Sequence, residues 1–397
     1  YRFHQPDLER RLRGALRLRS SVTVQLGQSV EALQQDSAGV TVTYRDEGNG
    51  QLQSLRAGYV VGCDGARSMV RSAMGVTMQP LGFEQRWLVA DVMLRREMPE
   101  LGDYTLQFCD ALRPATYCRN VGLRRRWEFA LLDHEDSIET MQSEAVWAFL
   151  SRWITPQDAE LERAAVYTFK SEVAESWVKG RLCLAGDCAH LTPPFLGQGM
   201  CAGIRDAANL AWKLAVACRG GDAGILTSYE SERKPNVTDY IETAVEMGEL
   251  INRVRAGDNI AQKVGAGDEG GTVLMRSVQA GLGPGLGSNL GADLGSGSAQ
   301  QDGAALRGQL IAQITLQAGR LDDVIGNHCA VLARQRRAVA PHLAMLCAQD
   351  DPAIGALLDQ LGVDAIFLRP DMRVLWAACG EQAVDLVLRQ ARALSLA

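Results

Sequence analysis

In the first 63 residues the hydrophobic positions have helical spacing at the start and strand-like spacing after it. A helix is predicted to begin near Gln5, because Pro6 and the acidic residues after it suit the first turn of a helix. Valine- and threonine-rich or alternating runs then predict four strands, at residues 22–30, 39–45, 51–57 and 59–63. The last of these runs is continuously apolar, as expected of a strand buried on both faces of a sheet.

The middle of the chain alternates over several short segments, which predict a mainly antiparallel sheet distinct from the first. These segments are residues 87–94, 104–108, 115–121 and 127–132. Helical spacing follows at residues 141–153, 200–218 and 229–253, and a second short buried strand is predicted at residues 182–185. The patterns together indicate a mixed α/β fold.

The pattern changes after residue 255. Seven of the seventeen residues from Gly281 to Gly297 are glycine, which predicts a linker or long loop. A smaller α/β pattern returns from about residue 309, with candidate strands at residues 310–316, 365–368 and 374–377. The spacing of Gly265, Gly267 and Gly270 fits a dinucleotide-binding turn, but no strand–turn–helix context surrounds it, so we infer no nucleotide site there.

Composition narrows the classes of function. Hydrophobic residues make up 47% of the chain and charged ones 22%, which is typical of a globular protein. The net charge of −6 argues against a nucleic-acid partner, and no run approaches the ~20 apolar residues that a membrane span needs. The ten cysteines form no C-x-x-C pair, which favours structural thiols in a reducing cytoplasm and no metal site.

The first of two motifs that carry chemistry follows the buried strand at residues 59–63. It ends in Asp64-Gly65, with Ser68 and Arg71 at the start of a predicted helix. Ligands of open α/β sheets gather beyond the carboxyl ends of strands, and Gly65 lets a backbone pass close to one. Asp64 could therefore accept hydrogen bonds from sugar hydroxyls or cap backbone amides, and an ordinary Asp-Gly turn is the alternative.

The second motif, at residues 180–209, is more specific. A predicted strand leads to Asp187, whose carboxylate could bind a ribityl hydroxyl, and two prolines stiffen the loop after it. Gly197 and Gly199 then open a helix, so that unpaired N–H groups point outward at an end that attracts negative charge. A reduced flavin carries negative charge over its N1–C2=O region, which suits this arrangement. The alternative is a glycine loop that serves packing alone.

Polar residues inside the second motif are expected to be structural. His190 could act as an acid or base, but a lone histidine beside a strand end is more often a structural hydrogen-bonding group. Asp206 and Asn209 are expected to hold the long helix against its neighbours. No catalytic residue can be assigned from these patterns.

The two motifs, in this order, resemble those of the single-component FAD-dependent aromatic-ring hydroxylases. Within that family the chain is most similar to 3-(3-hydroxyphenyl)propionate hydroxylases and related phenol-type monooxygenases. Supporting stretches are residues 5–9, 86–91, 126–129 and 193–213, with weaker likeness at residues 321–326 and 368–371.

The resemblance implies a mixed α/β fold with an incomplete Rossmann-like FAD-binding domain. Residues 1–82 would form part of that domain, 83–170 an antiparallel substrate-binding sheet, and 171–255 the return of the FAD-binding domain with its helices. Residues 256–305 would be a linker, and 306–397 a small thioredoxin-like domain. In the family roughly 100 further residues, with a G-x-G-x-x-G turn, would precede Tyr1 and hold the ADP half of FAD.

The same resemblance implies which residues contact the cofactor. Gln5 would touch FAD, Asp64 would lie near the FAD and the nicotinamide path, and Asp187 would bind the ribityl chain. Pro194 would face the isoalloxazine, and the backbone of residues 199–201 would cradle its pyrimidine edge. The full set is Gln5, Asp64, Gly65, Asp187, Pro194, Gly197, Gln198, Gly199, Met200 and Cys201. Many relatives carry Asn in place of Cys201, a change that only a backbone contact would survive.

The implied activity is FAD- and NAD(P)H-dependent hydroxylation of a phenolic acid similar to 3-(3-hydroxyphenyl)propionate, in aromatic catabolism. NADH or NADPH would reduce the FAD, O₂ would be trapped as a C4a-hydroperoxide, and an oxygen would pass to the phenolic ring. The ring-binding wall is expected at residues 83–133, and the partners would be the phenol, O₂ and a second copy in a homo-oligomer. Candidates to bind a substrate carboxylate, with an exposed surface position as the alternative for each, are Arg95, Arg119, Arg124 and Arg126.

Two other interpretations stay open. One is a different flavin enzyme of the same fold, such as a halogenase or reductase, although the W-x-W-x-x-P stretch typical of halogenases does not occur. The other is an inactive flavin-fold remnant that acts as a binding protein, which the implied loss of the N-terminal segment motivates.

Overall fold

The computed structural model describes residues 3–110, 112–255, 306, 308–326, 328–340 and 343–393. The linker expected at residues 256–305, with the glycine pattern at residues 265–270, lies outside these ranges.

Residues 3–255 form twelve strands and six α-helices, counted within the described ranges. The helices are α1 (Gln5–Arg17), α2 (Met69–Met74), α3 (Ser137–Thr140), α4 (Ser143–Leu150), α5 (Gly199–Cys218) and α6 (Thr227–Arg255). The first six strands are β1 (Gln28–Gln35), β2 (Val40–Asp46), β3 (Leu52–Ala57), β4 (Val60–Gly62), β5 (Met78–Leu94) and β6 (Leu106–Phe108). The next six are β7 (Ala115–Arg119), β8 (Arg124–Ala130), β9 (Ala159–Ala174), β10 (Val178–Lys179), β11 (Leu182–Leu184) and β12 (His190–Leu191).

The described residues after 305 form a smaller unit. Its strands are β13 (Thr315–Leu316), β14 (Gly319–Arg320), β15 (Cys329–Ala333), β16 (Leu343–Cys347), β17 (Ala365–Leu368) and β18 (Val374–Ala378). Its helices are α7 (Leu321–Ile325), α8 (Pro352–Leu361) and α9 (Ala383–Ala393). A mixed sheet in the order β16-β15-β17-β18 has β15 parallel to β16 and its other neighbours antiparallel.

Two strand predictions are wrong in part. The strand predicted at residues 22–30 begins only at Gln28, because Gly27 turns the chain with a φ of 68° and Val22, Val24 and Leu26 lie exposed before it. The strand predicted at residues 310–316 is reduced to β13 and a single bridge at Leu310. Ile311 and Leu316 are both buried although they lie five positions apart, a spacing that would place them on opposite faces of a strand.

A small parallel pairing positions the first motif beside the second. β4 runs parallel to β11, with Val60 opposite Leu182, and β10 adds an antiparallel strand beyond β11. Both predicted strands are therefore present with their carboxyl ends side by side, but only β11 is fully buried, because β4 lies at the edge of the three-stranded sheet. α5 and α6 pack together, and their core continues into the C-terminal sheet through Val331, Phe367 and Trp376.

The large antiparallel sheet has six strands in the order β12-β9-β5-β8-β7-β6. One face is apolar and packs against α4, through residues that include Leu88, Trp127 and Leu150. The other face carries Trp87 and Asp91, two positions that alternate with the core side chains of β5. The mainly antiparallel sheet predicted for the middle of the chain is confirmed, but its longest pair, β5 with β9, extends well beyond the predicted segments.

Candidate functional site

The turn after β11 passes through Gly186 and packs against α5. Gly186 has a φ of 68°, a conformation that favours glycine, within a 3₁₀ turn that spans Gly186–Cys188. A Cβ on Gly203 of α5 would lie 3.4 Å from the Cα of Gly186. This close approach brings the start of α5 against the end of the strand.

Asp206, one turn further along α5, fixes the same turn through three hydrogen bonds. Its carboxylate accepts from the Gly186 amide at 3.1 Å, pairs with Nε2 of His190 at 2.7 Å, and accepts from Nε of Arg233 at 2.8 Å. All three side chains are buried. Burial alone would raise the pKa of Asp206, but the hydrogen bond and charge of His190 and the charge of Arg233 lower it. These contacts support the structural interpretation of Asp206 and His190.

Asp187 is placed differently from Asp206. Its side chain is exposed, and within the described part of the chain its carboxylate makes neither a hydrogen bond nor an ion pair. The hydrogen bond from the Gly186 amide to Asp206 holds the turn in place, and the Asp187 carboxylate is free to accept hydrogen bonds from a ligand. An exposed acceptor on a fixed turn can bind a hydroxyl-bearing ligand without losing any interaction within the protein.

The loop before α5 leaves the start of that helix open. Pro194–Leu196 form a 3₁₀ turn, Gly197 follows with a φ of 61°, and α5 begins at Gly199 with no side-chain cap. The amides of the first turn therefore have no partner from a capping side chain. A Cβ at Gly197 or Gly199 would meet no described atom within 4 Å, so both positions border open space. Gln198 instead turns back and accepts a hydrogen bond from Arg205 at 3.0 Å.

Asp64 is used within its own motif. Its carboxylate accepts from the Ser68 hydroxyl at 2.5 Å and from the amides of Met69 and Val70 at 2.7 and 3.1 Å. Burial would raise the pKa of Asp64, but these hydrogen bonds outweigh burial and lower it. Of the two roles left open for Asp64, capping backbone amides is the one present here. Gly65 after it has a φ of 77°, as a tight turn requires.

A cavity of about 650 Å³ joins the start of α1, the loop before α5 and the polar face of the antiparallel sheet. Of the predicted cofactor residues, Gln5, Gly197 and Met200 line it, whereas Asp64 and Asp187 do not. The sheet contributes Asp91, Arg124, Arg126, Glu162 and Arg163, among others.

Phe195 ties the glycine loop to the sheet. Its ring lies 5.7 Å from Trp87 and 5.4 Å from Phe83, in edge-to-face contacts typical of aromatic pairs. A Cβ on Gly248 of α6 would clash with both phenylalanine rings at 2.7 Å. An apolar aromatic wall therefore lies directly beside Pro194.

The four candidate arginines differ in their partners. Arg119, Arg124 and Arg126 pair with Asp103, Glu162 and Asp91 at 3.1, 3.3 and 2.7 Å. Arg95 is exposed and does not line the cavity. Two residues of the same region were not predicted: Arg163, which lines the cavity, and Glu128, whose pKa is raised by burial. Alternation along β8 could have placed Glu128 on the polar face, whereas the place of Arg163 depends on the register of β9 with β5.

The described ranges contain neither a metal-binding cluster nor a membrane-spanning helix. There, no group of three or more His, Cys, Asp or Glu residues is arranged to hold a metal ion. No helix in the same ranges combines the length and apolar character needed to cross a bilayer.

A family model described as "FAD binding domain" matches residues 1–244, more than half of the chain. The chain belongs to this family. Its match covers both motifs, the antiparallel sheet and α5, so the geometry above is that of an FAD binding domain. FAD is therefore the cofactor that this part of the chain is built to bind.

Relatives with named activities match the same part of the chain. A probable NADH-specific resorcinol 4-hydroxylase of Rhodococcus jostii is 41% identical over 253 residues, covering 63% of this chain and 47% of that protein. A 3-(3-hydroxy-phenyl)propionate/3-hydroxycinnamic acid hydroxylase of Burkholderia cenocepacia is 38% identical over 252 residues, covering 63% and 46%. The chain thus matches about half the length of these relatives.

Solved structures support the fold over most of the chain. The anhydrotetracycline hydroxylase OxyS from Streptomyces rimosus superposes with a TM-score of 0.70 at 22% identity, covering 94% of this chain and 76% of that one. The flavin-dependent monooxygenase PieE, solved in complex with FAD and substrate, gives the same TM-score and coverage at 20% identity. At these identities the likeness concerns the fold.

Proposed function

We propose that this chain supports FAD- and NAD(P)H-dependent hydroxylation of a phenolic aromatic acid of the 3-(3-hydroxyphenyl)propionate type, in aromatic catabolism. The observation that carries the proposal is that an exposed Asp187, without a partner among the described residues, and an uncapped start of α5 belong to one turn–loop–helix unit. The names of the relatives, which are hydroxylases of resorcinol and of 3-hydroxyphenyl acids, support the reaction class.

The residues present fit the flavin. Asp187 would accept hydrogen bonds from ribityl hydroxyls, and the free amides of the first turn of α5 would face the negatively charged pyrimidine edge. Open space at Gly197 and Gly199 allows a planar ring to approach the backbone closely, with Pro194 against its face. When bound, FAD supplies the electron transfer from NADH or NADPH and the activation of O₂ that amino-acid side chains lack.

The protein's own contribution would be orientation and exclusion of water. The Phe195, Trp87 and Phe83 rings form an apolar wall beside the loop, which would keep water from the reacting ring. The cavity at Gly197 and Met200 is large enough for a phenolic ring and is lined on the sheet side by charged groups. The substrate would therefore bind between the glycine loop and the sheet, with O₂ as the second reactant.

Several finer assignments belong to the same proposal. The pairing of β4 with β11 would be part of a Rossmann-like domain, and the sheet β16-β15-β17-β18 a thioredoxin-like one, with the domain boundaries as expected from the sequence. All ten cysteines lie in described positions and none forms a disulfide, which supports a reducing cytoplasm. A homo-oligomer without nucleic-acid partners completes the proposal.

The test is flavin uptake followed by turnover. The purified chain is mixed with FAD and desalted, and its visible absorption spectrum is compared with that of Asp187→Ala and of the control Asp239→Ala, which alters an exposed carboxylate on α6. We expect retained flavin in the parent chain and the control, and a Kd for FAD about tenfold higher for Asp187→Ala.

Turnover is then followed with NADH and NADPH, with resorcinol and 3-(3-hydroxyphenyl)propionate as substrates and hydroxylated product detected by mass spectrometry. Product formation is the expected result. A chain that takes up FAD but forms no product with any phenol would contradict the hydroxylase proposal and favour a flavin-fold binding protein.

A further inference from the structure

Three charged residues form one row across the polar face of the antiparallel sheet. Asp91 of β5 lies opposite Arg126 of β8 on one side and opposite Arg163 of β9 on the other. Because cross-strand partners share a face, one carboxylate lies between two guanidinium groups. The row opens into the cavity of about 650 Å³, which all three residues line.

The single carboxylate of the row is already bound. Arg126 holds Asp91 with two hydrogen bonds, from Nε at 2.7 Å and from a terminal nitrogen at 3.0 Å. This is the bidentate geometry that satisfies a carboxylate most completely. Asp91 therefore neutralises Arg126 and leaves Arg163 without a counter-charge in the row.

Arg163 has no acidic partner elsewhere among the described residues. Its guanidinium lies 5.4 Å from the centroid of the Tyr167 ring, on the same face of β9. Arg124, which lines the same cavity, is by contrast paired with Glu162 at 3.3 Å. A guanidinium that lies over an aromatic ring keeps its N–H groups available to donate to a ligand, because the ring contacts only its flat face.

Other parts of the cavity add to the attraction for an anion. α5, of twenty residues and without an acidic residue in its first turn, begins at its rim, where Gly197 and Met200 lie. Helix N-termini carry partial positive charge. The start of α1 adds no such attraction, because Asp7 lies in its first turn and Glu9 lines the cavity. The uncompensated guanidinium and the start of α5 thus converge on one space.

We propose that Arg163 binds the carboxylate of the phenolic acid substrate and selects acids over neutral phenols. This inference rests on the proposed function, which it deepens by naming the residue that recognises the acid. The phenolic ring would lie toward Gly197 and Met200, and the carboxylate of the side chain would reach across the cavity to β9. Arg126 would remain hydrogen-bonded to Asp91 and hold β8 and β5 in register.

The test compares two ligands that differ in charge. Isothermal titration calorimetry measures Kd for 3-(3-hydroxyphenyl)propionate and for the neutral 3-propylphenol, with and without saturating FAD. The variants are Arg163→Gln, Arg163→Lys and the control Arg95→Gln, an exposed arginine outside the cavity. Circular dichroism checks that each variant is folded.

We expect the parent chain and Arg95→Gln to prefer the acid by about tenfold or more. Arg163→Gln should bind both ligands equally, with unchanged affinity for 3-propylphenol, and Arg163→Lys should keep part of the preference. A preference that survives in Arg163→Gln, or a parent chain with no preference, would overturn the assignment.

A further measurement separates the substrate from the cofactor, whose phosphates are also anions. If Arg163→Gln raises the Kd for FAD and leaves the acid preference intact, the guanidinium serves the cofactor and the proposal is wrong. Failure of the hydroxylase proposal has a different signature: the acid preference depends on Arg163, but no hydroxylated product forms.

Discussion

The Asp206 carboxylate lies 2.7 Å from Nε2 of His190, and both side chains are almost completely buried. The same carboxylate accepts from the Gly186 amide, one residue before Asp187. The position of the exposed Asp187 is therefore set by a buried carboxylate on α5. The helix whose open N-terminus faces the proposed flavin also fixes the turn that would hold the flavin's ribityl chain.

Replacing Asp206 by asparagine should destabilise the fold and weaken FAD binding together. Asp206→Asn removes a buried negative charge and leaves Arg233 without its ionic partner, a change that typically costs about 3–5 kcal/mol. Urea unfolding followed by circular dichroism measures the stability, and desalting after FAD addition measures retention.

The matched control is Asp239→Asn, an exposed carboxylate on α6 that should change stability by no more than about 0.5 kcal/mol. Equal stability of the two variants would show that the hydrogen bonds of Asp206 do not hold the turn.

A second buried carboxylate connects α5 and α6 to the C-terminal sheet. Glu232 of α6 accepts from Lys213 and Asn209 of α5 at 2.9 and 2.8 Å, and from Arg369 at 2.9 Å. Burial would raise the pKa of Glu232, but the charges of Arg369 and Lys213 lower it to about 2. A lowered pKa in the folded state stabilises the protein above the usual value of 4.5, and that stabilisation is lost as the pH falls toward 2.

Glu232→Gln should therefore lower the free energy of unfolding at pH 7 by about 3–5 kcal/mol. Between pH 4.5 and pH 2 the parent chain should lose stability with a steeper slope than the variant, because the variant lacks the titrating group. Urea midpoints across this range measure both effects. Glu246→Gln, an exposed change on the same helix, should follow the parent curve; a Glu232→Gln curve that does the same would contradict the role of the ion pairs.

Local patterns were sufficient to predict much of the fold and to select candidate residues for the site. Continuous apolar runs predict β4 and β11, and helical spacing of apolar residues predicts α5. Each of these patterns involves only residues that are close in sequence, so it can be recognised without knowledge of the fold. Asp187 and the glycines before α5 are candidates for the same reason. The family model that matches residues 1–244 confirms the resemblance drawn from these motifs.

Features that depend on distant partners were not predictable. No regular alternation predicts β9, because its exposure pattern is set by pairing with β5 and includes a register shift near Asp91. Arg233 reaches Asp206 across 27 positions, and Arg369 reaches Glu232 across 137. Arg163 becomes a candidate only when the register shows that Arg126 has already bound Asp91.

Gly199 offers a test of the site that does not disturb the fold. A Cβ at this position would meet no described atom within 4 Å, so Gly199→Ala should fold with unchanged or slightly higher stability. The added methyl group would occupy the space through which the flavin edge reaches the backbone, so the Kd for FAD should rise about tenfold or more. Fluorescence quenching of FAD measures the affinity.

The control is Gly14→Ala on α1, which also has open space at its Cβ and should gain about 0.5–1 kcal/mol of helix stability. FAD affinity should stay unchanged in this control. Equal FAD affinity for Gly199→Ala and the parent chain would place the flavin elsewhere.

Cys201 distinguishes a backbone contact from a side-chain contact in the same turn. It lies third in α5, partly buried, and its thiol is unpaired. If the flavin is bound by the amide of this residue, Cys201→Ala and Cys201→Asn should both retain FAD with a Kd within about twofold of the parent chain, since both keep the amide and the helix. Desalting and fluorescence titration measure retention and Kd. A tenfold loss in Cys201→Ala that Cys201→Asn restores would instead assign the contact to a polar side chain, and the cradle would then be formed by the amides of Gly199 and Met200 alone.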